Sequence, residues 1–297
     1  AFLAAARVNL GDGPALSVLY KAEAERSSGP TAGFWYGRAA RTSRDAGQDP
    51  DATAELFRSA MQAADSASTS IHRGAQAAFV AAERWDDWFD ALASEAKLQE
   101  GTARAATLLQ VGEAAGSEHT DRSIAQLIEA VASDPECSPA ADLAVSLLIQ
   151  AERPEQALTM LAERLEATED SGAGASIAFR MGEICEHNQR DHVAAAAHYQ
   201  DAADRDPEHP FASVSVARSL GMAKDWSSAA SSLMALAEAE SAPDRAARFW
   251  HQAAVIQRWH LEDAGAANAS DVKAYTASSL QPAALDAVID AAARSAN

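Results

Sequence analysis

The chain has 297 residues, 43 carboxylates against 24 lysines and arginines, a formal net charge of −19 and a pI near 4.7. That balance argues against nucleic acid, whose phosphates need a basic footprint, and against anionic membrane surfaces. Hydrophobic residues make up 48% but aromatics only 6%. Much of the apolar content is alanine, which suits closely packed helices and leaves no β-branched and aromatic runs for a sandwich or barrel.

Apolar periodicity, prolines and turn residues predict helices in pairs along the whole chain. From the N-terminus they run over 1–8 and 13–26, 31–44 and 51–65, 69–83 and 85–98, then 102–115 and 120–133. They continue over 138–151 and 154–167, 173–187 and 190–204, 210–223 and 226–239, 243–260 and 263–279, with a closing helix over 282–295. Loop signals separate them: Gly47 to Asp51, Asp134-Pro135, and Ser171 to Gly174. All ten prolines fall at turns or first helical turns, where the missing N–H costs nothing. The first helix is apolar (Phe2, Leu3, Val8), as is the last (Leu285, Val288, Ile289), so both ends read as continuing into further repeats or docking on a partner.

The chain also repeats itself. Gly112 and Gly182 lie 70 residues apart in matching helices, and Pro135 and Pro207 lie 72 apart in matching Asp-Pro turns, with a third copy ending at Ala277 and Pro282. Between them sits a second hairpin, marked by Glu83 to Trp88, Glu152 to Ala157 and Lys224 to Ala229. The period is therefore a double hairpin of about 70 residues. Gly182, Ala195, Tyr199, Ala202 and Pro207 resemble the tetratricopeptide signature, with one extra residue in the turn; Ala229 and Leu233, and Ala157 and Leu161, carry it in other hairpins. The resemblance covers essentially the whole chain and implies an all-α, right-handed superhelical solenoid of stacked antiparallel hairpins. It gives about 17 helices in a single array over 1–297, with repeat pairs near 1–68, 69–135, 138–207 and 210–282. Within it the small residue lets the second helix pack closely, and Phe57 or Tyr199 fills the space between hairpins.

No glycine-rich phosphate loop, nucleophile elbow or His-Glu-x-x-His is present. The best metal-like cluster is Cys185, Glu186, His187, Asp191, His192 and His198. His192 and His198 are six apart and do not share a helix face, so neither metal nor cofactor is expected. Cys137 and Cys185 read as small buried residues rather than a disulfide framework. Asp86-Asp87 and Glu262-Asp263 lie at helix starts, where negative charge complements the helix dipole. Trp85 and Trp226 hold equivalent repeat positions and are expected in the core; Trp250 and Trp259 have no counterparts and are candidate partner-facing aromatics.

In arrays of the resembled type the first helix of each hairpin lines a concave groove that takes a peptide or helix of a partner. First-helix residues off the packing stripe are Arg38, Arg41, Arg73, Arg180, Arg218 and Arg248, which could pair with carboxylates of a ligand. The overall charge reads as solubility or as an acidic face for a basic partner. The expected function is a noncatalytic protein–protein interaction scaffold. The alternatives are a structural subunit that self-associates end to end, or the repeat region of a longer multidomain protein. No apolar run is long enough to span a membrane, so direct insertion is not expected. The Ala-Phe-Leu start suggests a larger or processed precursor, with a cytoplasmic address slightly favoured. Abundant Arg and Ala with only four lysines point to a GC-rich bacterial source.

Overall fold

The computed structural model describes residues 12–63, 69–114 and 119–278, with Leu285 and Ile289 beyond them. Fifteen α-helices follow one another in these residues, with no strand among them. They are α1 (Gly13–Glu25), α2 (Gly29–Asp45), α3 (Pro50–Ala63), α4 (Thr69–Ala81), α5 (Trp85–Ala96), α6 (Gly101–Ala114), α7 (Thr120–Ser133) and α8 (Ser138–Gln150). Then come α9 (Pro154–Ala167), α10 (Ser171–Ile184), α11 (His192–Arg205), α12 (Ala212–Met222), α13 (Trp226–Ala239), α14 (Pro243–Trp259) and α15 (Ala264–Ala277). The predicted helix over 1–8, most of the closing helix over 282–295, Pro282 and the apolar side chains Phe2, Leu3, Val8 and Val288 lie outside the described residues.

The chain forms two compact units, Ala1–Leu147 and Leu148–Asn297. Within each, helices pack on their neighbours in sequence. Even-numbered helices α2 to α14 are the first helices of hairpins, and odd-numbered helices are the second.

Local chemistry sets the boundaries. Aspartate side chains cap six helices by accepting a backbone N–H three residues on: Asp12 from Ala15, Asp49 from Ala52, Asp170 from Ala173, Asp191 from Ala194, Asp225 from Ser228 and Asp263 from Ala266. Proline occupies the first turn of α1, α2, α9 and α14 and opens α3. First helices close in the left-handed region at Gly47, Glu83, Glu152, Arg190, Lys224 and Glu262.

The closing turn comes in two forms. The N–H groups of Arg84, Arg153 and Asp225 bond five residues back, to Phe79, Leu148 and Leu220, which is the six-to-one bond of a Schellman cap. Those of Asp191 and Asp263 reach six back, to Cys185 and Gln257. At the first of these the extra residue is taken up by one π-helical turn, Cys185–Gln189. In the second unit the two forms thus alternate with the double-hairpin period, whereas in the first the N–H of Gln48 bonds five back, to Ser43, as that of Arg84 does.

Close approach between helices explains the recurring glycines. A β-carbon on Gly182 would stand 2.6 Å from the Tyr199 ring, and one on Gly112 would stand 2.4 Å from Leu127. Both meet the second helix of their own hairpin. A β-carbon on Gly74 would stand 2.6 Å from Phe57, in the helix before it, so here the ring locks successive hairpins together. Phe57 and Tyr199 are fully buried, as are Ala195 and Ala202.

Candidate functional site

Both helices of a hairpin leave an outward stripe; second helices expose Val18, Trp85, Val193 and Val272 there, and first helices expose a stripe that mixes arginine with larger apolar side chains. On α14 the buried stripe holds Ala246, Ala247, Trp250, Ala253, Ala254 and Gln257. Opposite it, at positions i, i+4, i+7 and i+11, lie Arg248, Gln252, Val255 and Trp259, all exposed. On α12, Val214, Arg218 and Met222 form the matching stripe, with Phe211 at its head. In the first unit, Phe34 and Arg38 on α2 and Arg73 and Val80 on α4 do the same.

The six candidate arginines share this placement but not a common state. Arg38 lies 5.3 Å above the Tyr20 ring and 5.9 Å above Phe34, and Arg41 donates to Ser70 Oγ at 3.0 Å. Arg73 pairs with the buried Glu95 at 3.6 Å, and Arg180 pairs with Glu183 at 2.9 Å. Arg218 donates to Glu186 Oε2 at 2.7 Å, and the same oxygen accepts the Tyr199 hydroxyl at 2.8 Å. Arg248 makes no hydrogen bond, ion pair or ring contact to any described residue. The ladder is therefore mostly committed to internal partners; Glu183 and Phe34 lie one turn away on the same helix, but Tyr20, Ser70, Glu95 and Glu186 come from other helices or turns, which the sequence hid.

The aromatics also sort differently from their sequence reading. Trp250 is only 5% exposed and packs among Met234, Ala237, Phe249 and Ala274, with Lys273 4.0 Å above its ring. It is a core residue, because its position lies on the alanine stripe of α14. Trp259, at 72%, is exposed. Trp85 is not in the core: it is 48% exposed and leans edge-on against Trp88. Trp226 is half-buried, stacked on His260 at 3.7 Å. Both sit at a helix head, where only one flank meets the neighbouring hairpin.

Buried charge elsewhere is structural. Asp271 is fully buried and accepts from His251 Nδ1 at 2.9 Å and Arg258 at 2.7 Å, pinning α14 to α15. Asp87 accepts from Arg84 at 2.6 Å and from Arg58, and Glu55 accepts from Arg84 at 2.7 Å. Burial works against the Asp87 charge, yet the two guanidinium hydrogen bonds prevail and hold its carboxyl below the usual range. Asp86 and Asp90 pair with Arg122. The acidic start of α5 is thus an ion-pair network between second helices as well as a dipole partner.

At the metal-like cluster, Glu186 is engaged by Tyr199 and Arg218, and Cys185 is buried, its thiol pushed up by burial and by Asp191. Burial holds the His198 imidazole below its usual range. Cys137 is only half-buried. Among the described residues no three His, Cys, Asp or Glu side chains converge as a metal site, and no helix is long and apolar enough to cross a membrane. A cleft of about 320 Å³ between α1 and α3 includes Ser17, Lys21, Asp49, Glu55 and Leu56 in its lining; Asp49 there is the cap of α3 and Glu55 the partner of Arg84.

Charge is divided by helix class. The seven first helices hold ten arginines and five carboxylates, a net of +5. The eight second helices hold six lysines and arginines and 17 carboxylates, a net of −11. In an acidic chain, the first helices are locally basic.

No protein-family model matches the chain, and no curated protein matches it in sequence. Among solved structures it is similar to the C-terminal part of a TPR repeat-containing protein from Cytophaga hutchinsonii. The identity is 13% and the TM-score 0.42, over 84% of this chain and 98% of that one. It is also similar to PilF of Pseudomonas aeruginosa, at 18% identity and a TM-score of 0.32 over 68% and 89% of the two chains. Within each unit helices pack on their sequence neighbours, and small residues of first helices seat against Leu127 and Tyr199 of second helices, so the described residues form an all-α array of antiparallel helical hairpins, the fold that the sequence resemblance implies.

Proposed function

We propose that the chain is a noncatalytic protein–protein interaction scaffold that holds a peptide or helix of a partner on the exposed faces of its first helices. The observation that carries this reading is the division of charge. The second helices are strongly acidic and tied together by ion pairs, whereas the first helices are locally basic and present Phe34, Val80, Met222, Val255 and Trp259 between polar side chains. A surface that mixes exposed aromatics, Met and Arg has the composition of binding interfaces rather than of a merely solvated face. Selection of a random peptide library on the immobilised chain, followed by photo-crosslinking of the selected peptides, tests it. Crosslinks are expected on even-numbered helices; a failure to select any binder, or crosslinks confined to odd-numbered helices, contradicts it.

A further inference from the structure

Resting on that reading, we infer that the α12–α14 face of the second unit is the principal docking strip, and that its occupant is an acidic amphipathic segment of another protein. Ala217 of α12 and Ala253 and Phe249 of α14 belong to one buried cluster with Leu233 of α13, so the two first helices bury their inner faces in a shared core and leave their outward stripes free. Together they hold four arginines and one carboxylate. That carboxylate, Asp244, accepts from Ser278 at 2.6 Å and stands at the head of the stripe, one turn before Arg248. The same strip carries three of the most exposed large apolar side chains of the described residues: Phe211, Met222 and Trp259.

Arg248 decides the chemistry. The other three arginines of the two helices are neutralised in place: Arg218 by Glu186, Arg245 by Glu240 and Arg258 by Asp271. Arg248 alone keeps its full bidentate donor capacity, eleven residues before Trp259 on one stripe. At 1.5 Å per residue the two stand about 16 Å apart along the helix. A complementary segment therefore carries a carboxylate and a large apolar side chain at that separation, which is about eleven residues in a helix or five in an extended chain. A second copy of this chain fits poorly, since it brings a charge of −19 against −19, a far larger long-range penalty than a short segment with one or two carboxylates carries.

The test uses the whole chain and a fluorescently labelled, alanine-based helical peptide with one glutamate eleven residues before a Leu-Phe anchor. An analogue with lysine in place of the glutamate serves as the control. The glutamate peptide is expected to bind saturably, weakened about tenfold by Trp259→Ala and by Arg248→Glu. Arg248→Glu is expected to bind the lysine analogue better than the glutamate peptide, a reversal that loss of folding cannot produce. Absence of binding to the unaltered chain, or binding indifferent to both substitutions, overturns the inference. Peptide binding lost on Phe34→Ala in the first unit but not on Arg248→Glu overturns it while leaving the scaffold reading intact. Concentration-dependent dimers abolished by Trp259→Ala would assign the strip to a second copy instead.

Discussion

Gly182 shows how a single residue sets the spacing of a hairpin. Its α-carbon lies so near the Tyr199 ring that any side chain meets it, and the ring is held in turn by its hydroxyl bond to Glu186. Gly182→Ala gains helix propensity of about 1 kcal/mol but overpacks a buried ring that has nowhere to go. A net destabilisation of roughly 1–2 kcal/mol is expected in urea unfolding, and a similar loss for Gly112→Ala, whose β-carbon would meet the equally buried Leu127. Asp87 makes a pH prediction. Its folded carboxyl titrates below the unfolded one, so its contribution is complete above the unfolded value and is lost as pH falls through the folded one. Asp87→Asn is expected to flatten the acid limb of the stability–pH curve below about pH 4. A limb unchanged by the substitution would show that the Arg58 and Arg84 bonds do not form in solution.

At the scale of helices and turns, much was legible in the sequence. The helix boundaries could be placed because Pro, Gly and Asp punctuate most turns, and their caps and first-turn prolines act within four residues of sequence. The side chains that depend on a neighbouring hairpin were not legible. Trp250 and Trp259 read alike until α14 is given a buried face, and Asp271 reads as an ordinary polar residue until His251 and Arg258 stand beside it. The turn residues add a prediction of their own. Glu83, Glu152, Lys224 and Glu262 adopt positive φ without glycine's freedom, a cost of about 1 kcal/mol each. Lys224→Gly and Glu152→Gly are each expected to stabilise the chain by about 0.5–1 kcal/mol in urea unfolding, less whatever glycine adds to the entropy of the unfolded chain. A loss of stability in both would mean that the long side chains contribute more than the backbone strain costs.

Across the molecule, charge joins the fold to its proposed work. The formal charge of −19 left open an acidic face for a basic partner, but the division between helix classes favours the opposite sense at the docking faces. Negative charge is concentrated on second helices and turns, where it caps helices and pairs between hairpins; the first helices are left basic and partly apolar. The hydrogen-exchange footprint of a bound, selected peptide on the whole chain tests the docking faces most directly. Protection is expected along the even-numbered helices, strongest at α12 and α14, with the odd-numbered helices unchanged. Protection confined to α5, α9 and the other acidic second helices would contradict the account.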